Sequence, residues 1–75
     1  MEIADFVIHV KAELPAGKRE ELAAELAEHA GVVSAHFSRE HTHLLNVAYD
    51  PEATNSAALL KLVGERGGEA YKVGL

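Results

Sequence analysis

The sequence predicts an α+β sandwich in which two helices cover one face of an antiparallel sheet. Three observations carry that expectation. Apolar residues alternate with polar ones near the start, in "FVIHVK". The repeat lengthens to helical spacing after Pro15. Two further strand-like segments then precede a second helical one and a short closing strand.

Taken in order, Phe6, Ile8 and Val10 share one side of the first segment, with Asp5, His9 and Lys11 on the other, the pattern of a half-buried strand. From Pro15 to Ala30, Leu22, Ala23, Leu26, Ala27 and Ala30 recur at helical spacing, with Glu20, Glu21, Glu25 and Glu28 around the rest of the helix. Pro15 suits the first turn, where its missing N–H has no partner to lose, and Gly31 suits a stop. "VVSAHFS" and "HLLNVAYD" read as the second and third strands, joined by the polar "REHT". Ala35 and Phe37 share a face, as do Leu45, Val47 and Tyr49. A second helix opens after "DPEATNS", capped by Thr54 or Asn55, carries Leu59, Leu62 and Val63, and closes at Gly67 and Gly68. "EAYKVGL" is the last strand. The order β-α-β-β-α-β with right-handed crossovers is the ferredoxin-like sandwich, expected here as a single domain over residues 1–75.

Composition excludes several functional classes. Twelve acidic against seven basic residues give a formal charge of −5, which repels phosphate backbones and disfavours nucleic-acid binding. No apolar run approaches the roughly 20 residues of a membrane span. The start lacks the basic region and cleavage site of a secretory signal, so the chain is expected in the cytoplasm. There is no cysteine, hence no disulfide and no thiolate ligand.

"GVVS" (31–34), "NVAYDPEAT" (46–54), "ALLKLV" (58–63) and "RGGEA" (66–70) together resemble the heavy-metal-associated domain, the family of copper chaperones and of N-terminal modules of metal-pumping ATPases. The resemblance spans nearly the whole chain, with about one extra residue in the hairpin at 39–43. It implies a metal site on a Met-x-Cys-x-x-Cys loop at the start of the first helix, often with a tyrosine or lysine near the last strand. Those positions fall on Glu13, Pro15, Lys18 and Gly68. Soft Cu(I) binding there takes two thiolates, and this chain supplies neither. The resemblance therefore implies a binding or regulatory role in metal handling without the family's usual ligands. The first half also vaguely resembles small ferredoxin-like isomerases of aromatic breakdown, and the second half does not support that.

Other residues could substitute. His41 and His43, at i and i+2 in an extended segment, would place both rings on one side and could hold Cu(II), Ni(II) or Zn(II); a polar turn is the structural alternative. His9 and His36 share the open face of the sheet but are separated by the third strand, so a joint site would require them to lean over Asn46. His29, expected in the last helical turn, can pair with Glu25. Gly17, Lys18 and Arg19 sit in the first helical turn, where free N–H groups attract anions or an acidic partner; the alternative is pairing with Glu13 or Glu21. Val7, Leu44 and Ala48 give the open face enough apolar surface for a protein partner or a homodimer. Catalysis has the least support: no cysteine nucleophile is available, Ser34, Ser38 and Ser56 lack an evident His-and-acid arrangement, and "GERGG" follows a helix instead of opening one.

Overall fold

The computed structural model describes residues 2–73. Its elements are β1 (Ala4–Val10), α1 (Ala16–Ala27), β2 (Val32–Phe37), β3 (Leu44–Tyr49), α2 (Ser56–Gly67) and β4 (Ala70–Val73). The strands form one antiparallel sheet in the order β2-β3-β1-β4, the expected ferredoxin-like topology. Gly74 and Leu75, the end of the expected last strand, lie outside the described residues.

The two periodicities meet in one core. Ile8 and Val10 from β1 and Leu45 and Val47 from β3 point at Leu22, Ala23 and Leu26 of α1 and Leu59 and Val63 of α2, all buried. Fully burying side chains of this size contributes about 1.5–3 kcal/mol each. No polar or charged residue is buried with them among the described residues. Phe6 and Tyr49 close one end edge-to-face, with ring centroids 5.5 Å apart.

Two glycines are required by space. Gly67 ends α2 against the core, where an added Cβ would lie 2.8 Å from Leu22 Cδ2 and 3.8 Å from Leu14 Cδ1. Gly31 takes φ +89° between α1 and β2, and a Cβ there would come within 2.9 Å of Ala53 Cβ. Its carbonyl accepts from the Asp50 N–H at 2.7 Å, tying the α1–β2 connection to the end of β3.

Three local expectations need correction. Helix α1 stops at Ala27, short of Ala30, because His29 N–H turns to the Leu26 carbonyl three residues back and tightens the chain into a turn. His29 is consequently past the helix, its Nδ1 3.0 Å from the Ala30 carbonyl, and Glu25 pairs instead with Arg66 of α2 at 3.3 Å. The hairpin connection is longer than "REHT": β3 starts at Leu44, whose N–H bonds to the His41 carbonyl at 2.8 Å, so His43 belongs to a turn. Of the two proposed caps for α2, Asn55 is the one used, its side-chain oxygen accepting from Ala58 N–H at 2.8 Å. Strand β2 also carries an unforeseen bulge: Val32 pairs with Tyr49 and Ser34 with Ala48, leaving Val33 unmatched.

Candidate functional site

The β1–α1 corner is held from two sides. Lys11 N–H bonds to the Glu69 carbonyl at 2.9 Å, joining the end of β1 to the α2–β4 turn, and Gly67 lets α2 approach Leu14. Pro15 caps α1 in an extended conformation, and the first turn holds no acid. Arg19 folds back, Nη1 donating to the Leu14 carbonyl at 2.6 Å, which commits its guanidinium to the loop. Lys18 is exposed beside it. The ion pairs among the described residues are Lys11–Glu69 and Arg66–Glu25, so the pairing of Lys18 or Arg19 with Glu13 or Glu21 is not formed. A Cβ at Gly17 would meet nothing within 4 Å, so no close approach requires glycine there.

The histidines regroup. His41 and His43 do not share an extended segment: residues 41–44 turn, and His43 swings over the end of β1, its Nδ1 2.7 Å from the Val10 carbonyl. There its ring lies parallel to that of His9, with centroids 5.6 Å apart and planes 8° apart. Tyr71 stacks on His9's ring at 4.8 Å and 16°. The sheet register explains the stack, since His9 pairs with Tyr71 of β4 and with Leu44 of β3, next to His43. His9 Nδ1 is buried in it with no hydrogen-bond partner.

His36 lies opposite Asn46, as expected, but His9 lies opposite Leu44, two residues along as well as two strands over. At strand and residue spacings of about 4.8 and 3.3 Å, the two are about 12 Å apart, and they do not meet over Asn46. Imidazole lone pairs lie in the ring plane, so the parallel rings of His9 and His43 do not converge on one ion. Among the described residues no three His, Asp or Glu side chains form a group that could hold a metal. A histidine-bound metal is not supported by this arrangement.

The open face of the sheet carries a shallow depression of about 870 Å³, whose lining includes Val7, His36, Asn46 and Val73 together with the charged Asp5 and Lys72. On the same face of β4, Tyr71 and Val73 are 50% and 44% exposed.

No known family profile and no curated protein sequence matches the chain. Solved structures do. Oxidized MerP from Ralstonia metallidurans CH34 aligns over 97% of this chain and 100% of its own, with a TM-score of 0.83 at 15% identity. A copper binding domain from HMA7, a P-type ATPase, aligns over 93% of both chains with a TM-score of 0.82 at 18% identity. The yeast copper transporter domain CCC2A, solved in apo and Cu(I) states, aligns over 92% of this chain and 93% of its own with a TM-score of 0.80 at 16% identity. The fold is that of the heavy-metal-associated domain. At these identities the likeness is one of fold, and the chain carries that fold with no cysteine.

The donor set at the β1–α1 corner does not fit a cuprous ion. Pro15 offers no side-chain donor, Lys18 presents an ammonium, and the other cation at the corner is bonded to a carbonyl. Sequence reasoning located this corner and the open-face residues. It missed Tyr71 and the pairing of His9 with His43. The alternation of β4 was the available signal, since it puts Tyr71 on the same face as His9 once those two strands are neighbours.

Proposed function

We propose that the chain is a non-enzymatic binding module of metal handling that docks on a protein partner and does not carry the ion itself. The observation behind the reading is the β1–α1 corner of a heavy-metal-associated fold, rigidly held yet furnished with Pro15 and Lys18 in place of thiolates. A cation in that position repels a metal cation and favours a carboxylate or an acidic surface. Lys18, with Gly17 beside it and Arg19 positioned by the Leu14 carbonyl, is the docking point of this reading. A cysteine-free chain suits a reducing compartment, and we place its action in the cytoplasm. No helix of the described residues is long and apolar enough to cross a membrane.

The test is competition for Cu(I) against a chromophoric chelator. The native chain leaves the chelator loaded, while the double variant Pro15→Cys, Lys18→Cys withdraws one equivalent because the fold then presents two sulfurs. Stoichiometric uptake by the native chain ends the reading. Failure of the double variant ends the placement of the site at this corner.

A further inference from the structure

We draw no further inference here: the strongest candidate, the shallow depression on the open face of the sheet, holds the charges of Asp5 and Lys72 as well as the apolar Val7 and Val73, and nothing in the structure shows what covers it.

Discussion

His43 Nδ1 lies 2.7 Å from the main-chain carbonyl of Val10, bridging the turn before β3 to the end of β1. A carbonyl oxygen only accepts, so the ring nitrogen carries the proton. Neutral His43 is therefore the Nδ1–H tautomer, and nitrogen chemical shifts of the ring will report it. His43→Ala loses this bond and the stack on His9, lowering unfolding free energy by about 0.5–1.5 kcal/mol. His41→Ala, on an exposed residue, stays within about 0.5 kcal/mol of the native chain. Urea denaturation of the two variants compares them directly.

Gly64 and Gly67, both in α2, have opposite surroundings. A Cβ at Gly64 meets nothing within 4 Å, whereas one at Gly67 meets Leu22 Cδ2 at 2.8 Å. Gly64→Ala is expected to stabilise by about 0.4–1 kcal/mol through the unfolded chain and helix propensity. Gly67→Ala gains the same term but must displace a buried leucine, and is expected to destabilise by about 1 kcal/mol. Equal midpoints in denaturant would contradict the close approach of α2 to Leu22.

Gly31 and Gly68 allow a similar comparison. Both take positive φ, +89° and +88°, yet only Gly31 is crowded, by Ala53 and Thr54. Alanine at either position bears a backbone cost of about 1–3 kcal/mol, at Gly68 because φ +88° with ψ −158° is a conformation essentially only glycine adopts. Gly31→Ala adds the clash with Ala53 and Thr54, and both variants are expected to melt below the native chain.

Asn55 caps α2 through its side-chain oxygen. Asn55→Ala is expected to cost about 1 kcal/mol and Asn55→Asp very little, since the carboxylate keeps the acceptor. Amide exchange at Ala58 provides the local readout, faster in the alanine variant alone.

The strands and helices were legible because each buries a face at its own period: Phe6, Ile8 and Val10 at two, and Leu22, Ala23 and Leu26 at helical spacing. The end of α1 was not, because Ala27 and Ala30 continue the apolar period although hydrogen bonding has already turned the chain at His29. The bulge at Val33 was hidden for a related reason, since β-branched residues satisfy a strand pattern whether or not they pair. At the candidate site, the loss of sulfur ligands was visible in the residue identities. The Tyr71–His9–His43 stack was not, because it depends on register among three separate segments, which one chain's pattern does not encode.

The unmatched residue in β2 has a bearing on how the protein behaves when crowded. That strand forms one border of the sheet, and the slip at Val33 interrupts the regular run of amide and carbonyl groups an incoming strand would need. This rim therefore resists the edge-to-edge growth that leads to fibres, and filaments built through β2 are not expected from a concentrated solution of this chain.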